Sequence, residues 1–128
     1  MTTVYVASKT RLAPIWQDLR DMWRPSGIEI ISTWIDEAGE GETSDFPGLW
    51  QRCIGESSRA DFLIAVHEPG DVWKGAFIEI GSALASGRTV LLVGDPPGTW
   101  MEHYAVRRVP TISHALDYII DIKGIRNG

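Results

Sequence analysis

Residues 71–94 read DVWKGAFIEIGSALASGRTVLLVG, and this stretch decides the fold. Its middle has the spacing of small and apolar residues that is typical of a helix, and its end, TVLLVG, resembles a strand buried in a parallel sheet. One residue does not fit this pattern. Glu79 stands between Ile78 and Ile80, early in a helix that is otherwise small and apolar. The stretch therefore predicts a loop, a helix and a buried strand, with a carboxylate in an unusual place.

Strand and helix patterns alternate along the rest of the chain. The runs that predict strands are residues 3–7, 28–34, 61–67, 89–94 and 106–109. The runs that predict helices are residues 13–23, 46–58, 75–86 and 112–122, and residues 36–44 form a polar loop. We therefore expect one α/β domain over residues 1–128, a flavodoxin-like (Rossmann-like) three-layer sandwich with a five-stranded, mostly parallel sheet.

Composition excludes several classes of function. The net charge of -5 argues against a nucleic-acid-binding surface, which needs a basic face. A single cysteine, Cys53, excludes an internal disulfide and a cysteine-based zinc site, and it favours a reducing compartment. The three histidines lack metal-ligand spacing, and no apolar run has the length of a membrane span. We expect a cytoplasmic protein with no bound metal and no membrane or nucleic-acid partner.

Ligands of such folds bind at the edge formed by the carboxyl ends of the strands. The residues that directly follow predicted strands, or end them, are Ser8, Lys9, Trp34, His67, Glu68 and Asp95. Among the six tryptophans, those in predicted loops or strand ends are the better candidates for binding: Trp34, Trp73 and Trp100. Those in helical patterns are better explained by core packing: Trp16, Trp23 and Trp50.

Glu79 lies at the border of the helix face that we expect to meet the sheet. It is about one turn from the helix N-terminus, where the helix dipole favours an anion, and its neighbours are small enough to admit a ligand. One interpretation is a partly desolvated, ionised carboxylate that acts as a nucleophile or stabilises a sugar cation. The other is a solvated glutamate at the helix border that caps nearby amides.

Residues 60–94 resemble the core of the nucleoside 2-deoxyribosyltransferase family, which includes related nucleoside and nucleotide N-glycosidases. The family pattern is Ala-Asp at the start of a strand, a glycine turn into E-[LIV]-G-x-A, and then G-[KR]-x-V. Here these pieces are Ala60-Asp61, Gly75, residues 79–83 (EIGSA) and residues 87–90 (GRTV). The strand VYVAS at residues 4–8 is similar to the family's first strand, and the resemblance extends to the last helix, SHALDYI.

The resemblance implies an enzyme that cleaves the N-glycosidic bond of a (2-deoxy)nucleoside or nucleotide. Glu79 matches the family's nucleophile, which attacks C1′ while the base departs, and the sugar then passes to another base or to water. Tyr5 matches an active-site tyrosine of the first strand and would orient Glu79. The scheme is that of a retaining glycosidase, so no metal or organic cofactor is implied.

One departure from the family pattern concerns a second acid. Cys53 stands eight positions before Asp61, where the family has an acidic residue that positions or protonates the substrate. Asp71 is the expected replacement, and His67 together with Glu68 is the alternative. We therefore expect Glu79, Tyr5 and Asp71 to be the catalytic residues.

The expected substrate-binding residues are Ser8, Arg11, Trp34, Trp73 and Gly75. Ser8 and Arg11 are candidates for a phosphate, although SKTR is not a glycine-rich cradle and ordinary surface exposure explains both residues as well. The two tryptophans are candidates to stack on a base or sugar.

Two other functions remain open from the sequence, as does the assembly. Cys53 favours a non-catalytic nucleotide-binding module on the same fold, and a protein that cleaves or binds NAD-type molecules would have a similar sequence.

The resemblance implies that a segment after the fourth strand reaches the site of a neighbouring subunit. Residues 96–104, PPGTWMEHY, carry aromatics and methionine, which are enriched in interfaces. We expect a homodimer or higher homo-oligomer; the alternative is that this loop packs on its own domain.

Overall fold

A sheet of parallel strands forms the centre of the structure. The computed structural model describes residues 1–37 and 44–124, so most of the predicted polar loop lies outside the described residues. Within them the strands are β1 (Thr2–Ala7), β2 (Ile28–Ile30), β3 (Phe62–Val66), β4 (Thr89–Val93) and β5 (Val106–Arg108). Their order is β2-β1-β3-β4-β5 and every pairing is parallel. The flavodoxin-like α/β fold predicted from the sequence is confirmed.

Helices cover both faces of this sheet. They are α1 (Ala13–Trp23), α2 (Phe46–Arg59), α3 (Gly75–Ala85) and α4 (Ile112–Lys123), each within one residue of its predicted bounds. Right-handed crossovers place α2 and α3 together on one face and α1 on the other. The helix α4 follows the last strand and packs against β3 and β4 on the same face as α1, where its Lys123 lies over the ring of Phe62. No helix among the described residues has the length and apolar character needed to cross a membrane.

The central strands are buried on both faces, which explains their uninterrupted apolar sequences. All five residues of β3 are buried, and so are Val4, Tyr5, Val6 and Ala7 of β1. Because Tyr5 pairs with Leu63 in the parallel register, both side chains point to the same face of the sheet. Tyr5 interacts electrostatically with residues of α2 and α3, so this face is the one that the two helices cover.

The second strand is shorter than predicted. The sequence predicted a strand over residues 28–34, but β2 ends at Ile30 and Thr33–Asp36 form a 3₁₀ turn. Two side chains take over the hydrogen bonds that a longer strand would make. The amide of Val6 donates to Oγ of Ser32 (2.8 Å), and the indole of Trp34 donates to the carbonyl of Val6 (2.8 Å). The backbone can therefore leave the sheet while β1 stays satisfied.

A crevice opens where β1 and β3 lie side by side. The connection after β1 leads to β2 on one side, whereas the connection after β3 leads to β4 on the other, so the two loops diverge. The rim next to this crevice is tightly packed. The amide of His67 donates to the carbonyl of Val93 (2.8 Å), and Gly94 follows with a φ of 106°.

Gly94→Ala tests this close approach. A Cβ at Gly94 would lie 1.9 Å from the carbonyl oxygen of His67, and the backbone conformation itself disfavours a side chain. We expect the free energy of unfolding in urea to fall by about 2 kcal/mol or more. The control is Gly81→Ala in α3, where nothing lies within 4 Å of the added methyl group and a gain of up to about 1 kcal/mol is expected. Equal stability of the two variants would contradict the packing described for the rim.

Candidate active site

A pocket of about 270 Å³ lies at this crevice. It is lined by residues 8–10 after β1, by the turn after β2, by α2, and by residues 73–76 with Glu79. Three tryptophan side chains belong to its walls: Trp34, Trp50 and Trp73. Cys53 and Glu79 also line it, and we call these two buried side chains its floor. The pocket therefore combines flat aromatic walls with one deep carboxylate.

Glu79 is the carboxylate that the sequence made conspicuous. It is the fifth residue of α3 and is only 9% exposed. Burial raises its pKa from 4.5 to about 7, a nearby Tyr5 hydroxyl partly offsets this rise, and the charge of Glu56 adds to it. Near neutral pH the side chain is therefore divided between its acid and carboxylate forms.

Tyr5 lies wholly buried in β1 behind this carboxylate. Burial, followed by the neighbouring Glu79 and Cys53, raises the pKa of its hydroxyl far above the usual range, so the hydroxyl keeps its proton. Glu79 and Cys53 are close enough to interact with this hydroxyl, although it makes no hydrogen bond of standard geometry with any described residue. A protonated, unpaired donor beside a carboxylate can turn to it when the carboxylate ionises.

Cys53 occupies the floor beside these two groups. Its thiol is buried, and burial raises its pKa to about 11, so it remains protonated at neutral pH and is a poor nucleophile. One turn further along α2, Glu56 is buried and accepts hydrogen bonds from the amide (3.0 Å) and hydroxyl (2.9 Å) of Thr33. Glu56 was not among the residues predicted from the sequence, and its charge contributes less than burial, which is the main reason that the pKa of Glu79 is raised.

Asp71 and Arg11 are not brought to the pocket. Arg11 donates to Glu68 (2.7 Å) and to Asp71 (2.5 Å), and Asp71 also accepts from the amide of Glu68 (2.9 Å). Burial opposes ionisation of Asp71, but these hydrogen bonds outweigh it and hold its pKa below the usual range. His67 Nε2 donates to the carbonyl of Asp71 (2.9 Å). These four residues fasten the loop after β3, and none of them lines the pocket.

The other substrate-binding candidates do line the pocket. Ser8 lies at its edge, where its hydroxyl accepts from the indole of Trp16 (2.9 Å). Trp34 and Trp73 are both largely buried, and each presents part of its surface to the pocket. The indole N–H of Trp73 finds no hydrogen-bond partner among the described residues.

Gly75 and Trp50 belong together. A Cβ at Gly75 would lie 2.6 Å from the ring of Trp50, so the glycine lets this indole pack against the start of α3. Trp50 was expected to be a core residue because of its helical spacing, but it is only partly buried and lines the pocket. Three further lining residues carry charge, Lys9, Glu37 and Lys74, and no family motif pointed to them.

The residues 1–37 and 44–124 contain no group of three or more His, Cys, Asp or Glu side chains that could hold a metal ion. The pocket offers a carboxylate, a phenolic donor, lysine ammonium groups and aromatic surface. This set can bind a polar ring compound and attack it with the carboxylate.

No protein-family model and no curated protein matches this chain. Solved structures share its fold, among them the following two. A CMP N-glycosidase, BcmB, of Clostridium botulinum has a TM-score of 0.66 and 19% sequence identity, covering 94% of this chain and 99% of that one. A 2-desoxiribosyltransferase of Leishmania mexicana has a TM-score of 0.70 and 14% identity, covering 94% and 98%. At these identities the likeness establishes the fold, and both proteins are of the kinds that the sequence resemblance names.

Glu79→Gln tests the burial of the carboxylate without reference to function. The folded protein binds a proton at Glu79 more tightly than the unfolded chain does. The contribution of Glu79 to the free energy of unfolding is therefore largest below pH 4.5 and is lost as the pH rises through about 7. Glu79→Gln should therefore be more stable than the wild type at pH 8, by up to about 3 kcal/mol, and similar to it at pH 4.5.

The measurement is urea unfolding at both pH values, with Glu102→Gln at an exposed position as the control. This control should keep the same difference from the wild type throughout. A Glu79→Gln difference that does not change with pH would show that the carboxylate is not desolvated as described.

Proposed function

We propose that this protein cleaves the N-glycosidic bond of a nucleoside or nucleotide, with Glu79 as the nucleophile. The observation that carries the proposal is a single deep carboxylate with a pKa near 7 on the floor of a pocket walled by tryptophans. Aromatic faces stack on bases, and a carboxylate is suited to a sugar carbon that develops positive charge. The CMP N-glycosidase and the deoxyribosyltransferase with the same fold support this reaction class.

In the first step, a carboxylate oxygen of Glu79 forms a bond to C1′ of the sugar. The C1′–N bond breaks, its electron pair leaves with the base, and the base takes up a proton from water. The protonated hydroxyl of Tyr5 donates to the carboxylate and fixes the oxygen that attacks. Tyr5 is thus a positioning residue, and Glu79 is the group that touches the reacting carbon.

In the second step, water or another base attacks C1′ and releases Glu79 as a carboxylate. The incoming nucleophile gives its proton to solvent, so the enzyme returns to its initial state. Water as acceptor makes the reaction a hydrolysis, and a base makes it a transfer. Asp71 and Arg11 have no direct part in this scheme, because their pairing holds the loop after β3.

A non-catalytic nucleotide-binding protein is the second candidate. The observation that favours it is Cys53, a thiol with a pKa of about 11 at the position where the resembling family carries an acid. A protein that cleaves or binds NAD-type molecules would use the same pocket. The lone buried cysteine is also why we propose a cytoplasmic location, since a reducing compartment keeps thiols free.

The reaction is tested by incubating the protein with nucleosides, 2-deoxynucleosides and their 5′-monophosphates, with and without an acceptor base, and measuring the released base by chromatography. Glu79→Gln and Glu79→Ala should lower the rate by about three orders of magnitude or more. In the wild type kcat/KM should rise with pH through about 7, because only the ionised carboxylate attacks.

Intact-mass spectrometry of the quenched reaction should show a sugar adduct in the wild type and none in Glu79→Gln. Glu102→Gln serves as the control for the loss of a carboxylate. Base release by Glu79→Gln at the wild-type rate would contradict the proposed mechanism. Binding without base release by the wild type would favour the non-catalytic candidate.

We also propose that the protein is a homodimer or higher homo-oligomer. The segment after β4 folds partly onto its own chain, because Trp100 packs against Trp73 (ring centroids 6.4 Å apart) and Phe77 (5.9 Å). The helices α2 and α3, in contrast, expose apolar side chains to solvent. Ile54 of α2 and Ile78 of α3 are both exposed, and the two helices touch here, because Ser82, one turn after Ile78, donates to the carbonyl of Ile54 (3.1 Å). Such an apolar pair is suited to association.

Light scattering at micromolar concentration should give at least twice the chain mass of 14.2 kDa. Ile78→Lys should reduce the mass to that of one chain, because it buries a charge in the proposed interface. Ile122→Lys places the same change at an equally exposed residue of α4, on the opposite face, and should leave the mass unchanged. A wild-type mass near 14 kDa would contradict the proposal.

A further inference from the structure

Lysine is rare in this chain, and its distribution is uneven. The three lysines are Lys9, Lys74 and Lys123. Lys9 follows β1 and Lys74 directly precedes α3, yet both line the pocket described above. Lys123 lies on α4, with its ammonium group 5.8 Å from the centre of the Phe62 ring. The protein has a net charge of -5, and two of its three lysines line this one pocket.

Neither pocket lysine has an ion-pair partner among the described residues. The acids near the pocket edge are held by arginines instead. Glu37 is bound by Arg52 through two contacts of 2.7 Å, and Arg11 occupies the carboxylates of the loop after β3. The positive charges of Lys9 and Lys74 are therefore available to a ligand, whereas Arg11 is not.

The start of α3 adds to this cationic character. No side chain caps its first amides and no acid occurs in its first turn, although Gly75 and Ala76 line the pocket. Free amides at a helix N-terminus attract anions. The adjoining Trp73 contributes a buried indole N–H without a partner. Two lysines and the N-terminus of α3 thus line the same pocket, and Trp73, whose indole N–H has no partner among the described residues, directly precedes Lys74 in the chain.

From this arrangement, and resting on the proposed function, we propose that the substrate is a nucleoside 5′-monophosphate whose phosphate is bound by Lys9 and Lys74. The phosphate is a dianion near neutral pH, and two ammonium groups match its charge. It would otherwise repel the ionised Glu79 in the same pocket. A free nucleoside leaves both lysines without a partner and is a poor substrate.

The first experiment compares one nucleoside with its 5′-monophosphate, for each of the common bases, by the rate of base release. The expected kcat/KM is about 100-fold higher for the monophosphate, since each charged contact contributes about tenfold. Lys9→Gln and Lys74→Gln should each lose about tenfold, mainly through KM, and should discriminate less between the two substrates. Lys123→Gln is the matched control and should retain the wild-type values.

The second experiment measures binding alone, by calorimetry with Glu79→Gln so that no turnover occurs. The 5′-monophosphate should bind at least about 100-fold more tightly than the nucleoside, and its affinity should fall as salt is added. Replacing either pocket lysine in this background should weaken monophosphate binding about tenfold and weaken nucleoside binding by a much smaller factor.

The outcomes separate this inference from the proposed function. Base release from nucleoside and monophosphate at equal kcat/KM overturns the phosphate site and leaves N-glycosidic cleavage standing. Lysine-dependent binding of the monophosphate without any base release supports the phosphate site and overturns the proposed function. Tighter binding of NAD than of every monophosphate overturns the assignment to a monophosphate, and equal binding of inorganic phosphate and monophosphate overturns the assignment to a nucleotide.

Discussion

The desolvated carboxylate of Glu79 is the constraint on which the rest of the site depends. An acid at this position of α3 must face both the sheet and the pocket, so its neighbours have to be small or apolar. Tyr5 supplies a donor that favours the charged form, whereas Glu56 disfavours it. Burial is the largest contribution, and together with these two neighbours it brings the pKa to about 7, which costs stability at neutral pH. A pKa shifted in this way by burial is typical of functional sites.

Much of the fold could be predicted from the sequence because the dominant signals are local. The apolar run of β3 indicates a buried strand, and the apolar stripe of α4 indicates a helix. Alternation of strands and helices along the chain then predicts a parallel sheet. The error at β2 arose because residues 31–34 have strand-like composition but use their side chains to bond β1. The bonds from Val6 to Ser32 and from Trp34 to Val6 span 26 and 28 positions, and no local pattern indicates them.

Part of the pocket lining could also be predicted from the sequence. Glu79, Ser8, Trp34, Trp73 and Gly75 line the pocket, and Tyr5 lies beside Glu79. Topology brings together the strand ends that carry Ser8 and Trp34, whereas Tyr5 and Gly75 were expected from the family resemblance. The roles expected for Asp71 and Arg11 rested on chain position. These two residues form an ion pair across 60 positions of the chain, so each charge is neutralised by the other and neither is directed at the pocket. The sequence did not indicate that Trp50 and Lys74 line the pocket. The helical spacing of Trp50 is the same for a core residue and for a pocket wall, and a single lysine in a loop carries no periodic signal.

Arginine and lysine side chains make different contacts in this protein, and their chemistry explains the difference. Arginine presents a planar fork that holds carboxylates in fixed geometry, and here Arg11, Arg20, Arg52 and Arg108 each pair with an acid. Lysine carries a compact charge on a flexible stem, which can follow a ligand as it enters. Under the proposed function, the substrate must bring negative charge near a carboxylate that reacts only when ionised. A bound phosphate without a counter-charge would raise the pKa of Glu79 and convert it to its protonated, unreactive form. The lysines that line the pocket neutralise the phosphate charge, so Glu79 can stay ionised when the substrate is bound.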